Sequence, residues 1–245
     1  MDIVRLFNNF KRLIKIFQQQ KYAHNSNAPV LSREQLSALN IGAITSEQNM
    51  YYCDCLETEP DKEDVASRIN EYYGVYDRDS ALETLEWLLN RGHHIYYNAI
   101  MPVIANISSK VDDSHLSDFE RDRYLGVYIN NIKETLQYLI SYGFIKSGRE
   151  FKEISIEAWD LSRLVLVARC CYDVKYISEG EAWEFIMAAY RKAKEIYPNW
   201  SEFAKGYVVG RCMWSGRSES NFGIFDIANG LLKDDNSPWT RYQLH

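Results

Sequence analysis

Residues Ile156 to Val174 read Ile-Glu-Ala-Trp-Asp-Leu-Ser-Arg-Leu-Val-Leu-Val-Ala-Arg-Cys-Cys-Tyr-Asp-Val. The middle of this stretch, Leu164 to Ala168, is apolar on every side, and a helix that is hydrophobic all round has to be buried all round. It is too short and too interrupted to cross a bilayer, because Asp160, Arg163, Arg169 and Asp173 sit within or beside it. A central core helix over about residues 156–175 is the expectation. Ionised side chains on such a helix are costly to bury alone. The four charges therefore find partners on neighbouring elements or mark a cleft.

Outward from that helix, the whole chain sets bounds. Its 245 residues, 46% apolar and 25% charged, can build a sizeable core as one large domain or two small ones. A formal charge of -6 argues against general nucleic-acid binding, which needs a basic face. Eighteen tyrosines and six tryptophans more often serve core and interface packing than stacking on a ligand. The five cysteines, Cys53, Cys55, Cys170, Cys171 and Cys212, are odd in number and lack zinc-site spacing, which points to a reduced, cytoplasmic protein. No uninterrupted apolar segment reads as a secretory signal or a membrane span.

Helical spacing dominates the rest. Residues 1–21 place Val4, Phe7, Phe10, Leu13, Ile14 and Phe17 on one face among Arg5, Lys11, Arg12 and Lys15, a basic amphipathic helix within a terminal unit 1–24. It either lies on its own domain or attaches to an anionic membrane surface or a partner's groove. Capping boxes at Ser32/Gln35, Ser80/Glu83 and Ser178/Glu181 predict three helix starts, and Ser46 is read as opening another helix through Leu56. Gly74, Gly92 and Gly143 are read as helix stops. Pro102 kinks or restarts the helix begun at Ile95. Lys146–Lys152 is a loop between two halves of one domain, and Asp112–Ser117 is another loop. Gly206 and Gly210, four residues apart, permit close approach of a neighbouring helix. Phe222–Leu232 is a last short helix, and Asp234–His245 is a polar tail. No strand alternation competes with these patterns, so the expected fold is all-α, a single multi-helix globular domain over residues 31–245.

Six strings carry a resemblance to a known family. They are Leu-Ser-Arg-Glu-Gln-Leu from Leu31, Ala-Leu-Glu-Thr-Leu-Glu-Trp-Leu-Leu from Ala81, Ala-Trp-Asp-Leu-Ser-Arg from Ala158, Tyr-Ile-Ser-Glu-Gly-Glu-Ala-Trp from Tyr176, Gly-Arg-Cys-Met-Trp from Gly210 and Ser-Pro-Trp from Ser237. In matching order over about residues 31–240, the chain resembles the bacterial domain of unknown function 1266. The resemblance implies a bacterial, cytoplasmic, helical domain and brings no established reaction.

Candidate chemistry gathers around the central helix. Asp160 and Arg163 lie one turn apart beside Trp159, and they are grouped with Arg211 and Trp214 of the later Gly-Arg-x-x-Trp string and with His93. An arginine-rich pocket with an aromatic wall suits an anionic ligand; a buried ion network locking helices together uses the same residues. His93 and His94 are read as capping a helix C-terminus rather than holding metal. No nucleophile elbow, phosphate-cradling loop, cofactor motif or metal spacing is present in the sequence. Two function classes follow: a non-enzymatic module that binds another protein, with an immunity or adaptor role in bacterial competition as one such use, and a hydrolase or transferase working on an anionic substrate in the Asp160 pocket.

Overall fold

The computed structural model describes residues 22–58, 61–105, 123–217 and 219–245. Along the chain run α1 (Arg33–Leu39), a 3-10 turn (Asn40–Gly42), α2 (Ala43–Asn49), α3 (Lys62–Tyr73), α4 (Arg78–Asn90), α5 (His94–Ile104) and α6 (Arg123–Ser141). A second 3-10 turn (Gly148–Glu153) leads into α7 (Glu157–Asp173), α8 (Glu179–Ile196), α9 (Trp200–Ser215), α10 (Glu219–Lys233) and α11 (Pro238–Arg241). No strand occurs among the described residues, and one hydrophobic cluster joins the helices into a single all-α domain. The basic segment read in residues 1–21 and the loop read at Asp112–Ser117 lie outside the described residues.

Helix α7 is the centre. Only Glu157, Arg163 and Tyr172 of its residues are not fully buried, and α2, α3, α4, α8 and α9 pack around it. The apolar ring Leu164–Ala168 thus meets a neighbour on every side, as an all-round hydrophobic helix must. Helix α9 crosses α7 closely because two of its glycines face it. A Cβ on Gly206 would stand 2.3 Å from the Ser155 carbonyl oxygen, and one on Gly210 would stand 2.8 Å from Trp159 Cβ. Any side chain at these positions would push the helices apart.

Several local expectations are corrected. Ser80 does not open α4: Asp77 is the N-cap, accepting from the Ser80 backbone N–H, with the Ser80 hydroxyl returning the bond at the third helical position. The helix expected from Ser46 to Leu56 ends at Asn49, where Met50 turns into the left-handed region, and residues 51–58 are irregular. Helix α5 runs through Pro102 to Ile104, so of the two expected outcomes the helix is not restarted there. Lys146–Lys152 is not a free loop, since most of it forms a 3-10 turn that drives Phe151 into the core. The C-terminal stretch is not a polar tail either. Ser237 caps α11, Trp239 is 2% exposed and stacks on Trp200 with ring centroids 5.0 Å apart, and its Nε1 donates to the Asn40 carbonyl at 2.8 Å. Asn40 Nδ2 donates back to the Pro238 carbonyl at 3.0 Å, so α11 is tied to the 3-10 turn that follows α1.

Candidate functional site

Two turns separate the charged residues at the start of α7 from those at its end, and the two groups do different things. At the end, Arg169 is 1% exposed and donates to the carbonyls of Leu56, Tyr52, Cys55 and Glu57 and to Ser46 Oγ at 2.6–3.1 Å. One turn later Asp173 accepts from the backbone and hydroxyl of Thr58 and from Lys62 Nζ at 2.6 Å. Together they hold the irregular 51–58 segment, whose backbone would otherwise lack partners in the core.

At the start of α7 the carboxylate of Asp160, 1% exposed, faces the N-terminus of α5. Its Oδ1 accepts from the His93 backbone N–H at 2.9 Å, and its Oδ2 accepts from the His94 backbone N–H at 3.0 Å and lies 3.0 Å from His94 Nδ1. Arg163 also donates to Oδ1. Helix α5 has no side-chain cap of its own, so Asp160 takes that role from across the core, where orphan N–H groups and the helix dipole favour an anion. Burial raises the Asp160 carboxyl, but its bonds to His93 and His94 and the Arg163 charge outweigh that and hold it far below the usual carboxylate range. Gly92 makes the approach feasible: at φ +52°, a Cβ there would lie 2.3 Å from Asp160 Oδ2. The expected C-terminal capping by the histidines is therefore corrected, because they sit where the next helix begins and receive a cap instead of supplying one.

Aromatic rings enclose this cluster. The Arg163 guanidinium lies 3.6 Å from the centroid of Trp159, and His93 packs edge-on against Trp159 at 4.8 Å and Trp87 at 5.1 Å. His93 Nδ1 is 3.7 Å from Asp160 Oδ1, too far for a hydrogen bond, and 3.0 Å from Arg163 Nη2. That nitrogen accepts from the guanidinium, which requires a neutral ring with its proton on Nε2. Burial, reinforced by Arg163 against the pull of Asp160, pushes the His93 pKa down, consistent with that state.

Trp214 extends the cluster to the surface: its ring lies 5.9 Å from Trp159 and the residue is 47% exposed. Arg211 stacks on Trp214 at 5.0 Å and its Nε donates to Asn221 Oδ1 at 3.3 Å. The structure thus brings Asp160, Arg163, His93 and Trp159 into direct contact, adds Trp214 through Trp159, and places Arg211 over Trp214. The sequence reading missed Trp87, Tyr96 and Tyr128 around His93, and Asn131, whose Nδ2 donates to the Met213 and Trp214 carbonyls at the end of α9. Tyr128 and Asn131 lie on one face of α6, a stripe legible in the sequence; its register against α9 is not.

Burial raises the thiols of Cys170, Cys171 and Cys212, the last two to about 12, so none is a ready thiolate. Among the described residues no group of three or more His, Cys, Asp or Glu is placed to hold a metal ion, and no helix there is long and apolar enough to cross a membrane. No curated protein and no solved structure matches the chain. From the middle of α3 to beyond α11, residues 68–244, it matches the family described as Protein of unknown function (DUF1266), and the chain belongs to that family.

Proposed function

We propose that this is a non-enzymatic protein-interaction module of the bacterial cytoplasm, acting as an immunity or adaptor factor, whose contact face centres on Trp214. The observation that carries this reading is how fully Asp160 is engaged. A general acid, base or nucleophile needs a reactive atom facing substrate; both oxygens of Asp160 are held by backbone N–H groups and by Arg163 in a site closed from solvent. What reaches the surface instead is aromatic and apolar. Trp214 is 47% exposed, and Val127, 48% exposed, lies one turn before Asn131, the residue bonded to the Trp214 carbonyl. Tryptophan is the residue type most enriched where a few side chains dominate a protein interface. A reduced compartment is supported by the five cysteines, all free and buried. The basic residues 1–21 supply a second attachment, to the partner or to an anionic membrane surface.

Affinity capture on the immobilised full-length chain tests the reading. Wild type and Asp160→Asn that still folds are expected to retain the same protein, and Trp214→Ser is expected to lose it while melting as wild type does. Turnover of a phosphate or carboxylate ester by wild type, abolished in a well-folded Asp160→Asn variant, would replace this reading with the enzyme.

A further inference from the structure

A second site shares no residue with the Asp160 cluster. Between the segment 22–31 that leads into α1 and the helix α11 lies an open cavity of about 260 Å³. Its walls mix an apolar side, formed by the Tyr22 ring, Leu31, Leu36, Pro238 and Tyr242, with polar groups, and Val30 on its edge is fully exposed. An open cavity of this size suits a small organic ligand.

The charged groups facing the cavity differ in what they have left to give. The Asp54 carboxylate accepts the Asn25 backbone N–H at 3.0 and 3.2 Å and pairs with His24 Nδ1 at 3.2 Å. It is occupied within the protein. Arg241, exposed at the other wall, gives one N–H to the side-chain oxygen of Asn236 at 3.1 Å and pairs with no carboxylate among the described residues. Most of its donors remain, arranged in the fork that matches a carboxylate. One guanidinium offsets one negative charge, and with Asp54 across the space in a chain of net charge -6, a dianion such as a phosphate monoester would be disfavoured.

We propose that this cavity binds a small monocarboxylate, its apolar body against Leu31, Leu36 and Pro238 and its carboxylate on Arg241. The site is independent of the proposed interaction face, so failure of either leaves the other standing. Titration of the full chain with hexanoate and with phenylpropanoate, followed by backbone amide NMR, tests it. The expected result is saturable shifts at residues 22–40 and 236–242, with hexanol binding at least about tenfold more weakly and Arg241→Gln costing a similar factor. Leu36→Trp, which fills the space, should abolish binding and leave the remaining amide spectrum intact. Equal affinity for hexanol, shifts confined to other parts of the fold, or no saturation at millimolar carboxylate would overturn the proposal, and the wild-type comparison alone decides this if a variant fails to fold.

Discussion

The two ends of α7 carry the same inventory, one arginine and one aspartate each, yet their surroundings differ. At the Arg169 end the donors and acceptors are matched to backbone of an irregular segment, and neither Arg169 nor Asp173 meets solvent or an ionisable histidine. At the Asp160 end the partners are two histidines and two tryptophans, and the cluster reaches the surface through Trp214. Burying charge serves structure at both ends. Only one end can respond to its environment, because only there does a titratable imidazole accept a bond from the buried cation.

The largest effect should come from the closed end. Arg169→Met would strip four carbonyls of their donor, two of them buried and two partly so, and at about 1–3 kcal/mol for each buried group left unsatisfied, a loss of about 4 kcal/mol is expected in urea unfolding. A small loss would mean the 51–58 segment rehydrates freely and the two ends are less alike than their bonding suggests.

The next effect is a pH dependence confined to the other end. The folded pKa of His93 lies below the ordinary imidazole value of 6.5, so on acidification the unfolded chain binds the proton first. The stability this confers is fully present above about pH 6.5 and is lost as the pH falls through the lower folded value, at no more than about 1.4 kcal/mol per pH unit for one proton. Asp160, also depressed, contributes above the ordinary carboxylate range and loses its contribution only at much lower pH, so it does not confuse the window from pH 7 to 5. In that window His93→Gln, whose amide oxygen can still accept from Arg163, should lose less stability than wild type when melting is followed at each pH. Equal slopes would remove the contrast between the two ends. The smallest effect is expected from a charged pair outside both clusters: Arg78→Ala breaks an exposed bridge to Glu181 and should leave the unfolding midpoint unchanged.

Much of this was legible in the sequence. The apolar ring at Leu164–Ala168 placed the central helix, the cost of burying charge called for partners or a cleft at its four ionised residues, and the Gly206/Gly210 spacing permitted a close neighbour. Two of three capping boxes also stand where expected. What escaped depends on contacts distant in sequence. Helical periodicity could not reveal that the segment after Asn49 stays irregular, because Arg169, more than a hundred residues away, satisfies its carbonyls. Nor could the local pattern show that Trp239 is drawn from an apparently polar tail onto Trp200, or that Asp160 reaches the start of α5. The Gly-Arg-x-x-Trp string groups Arg211 with Asp160, but only the fold shows that its guanidinium lies over the Trp214 ring.

The central claim is that Asp160 is a structural cap and ion partner and not a reactive group, and urea unfolding of Asp160→Asn at pH 7 tests it most directly. A loss of about 3 kcal/mol is expected, since Arg163 would be left beside the core without its counter-charge and the amide would present a donor where two N–H groups seek acceptors. An Asp160→Asn variant as stable as wild type, or more so, and without function would contradict the account.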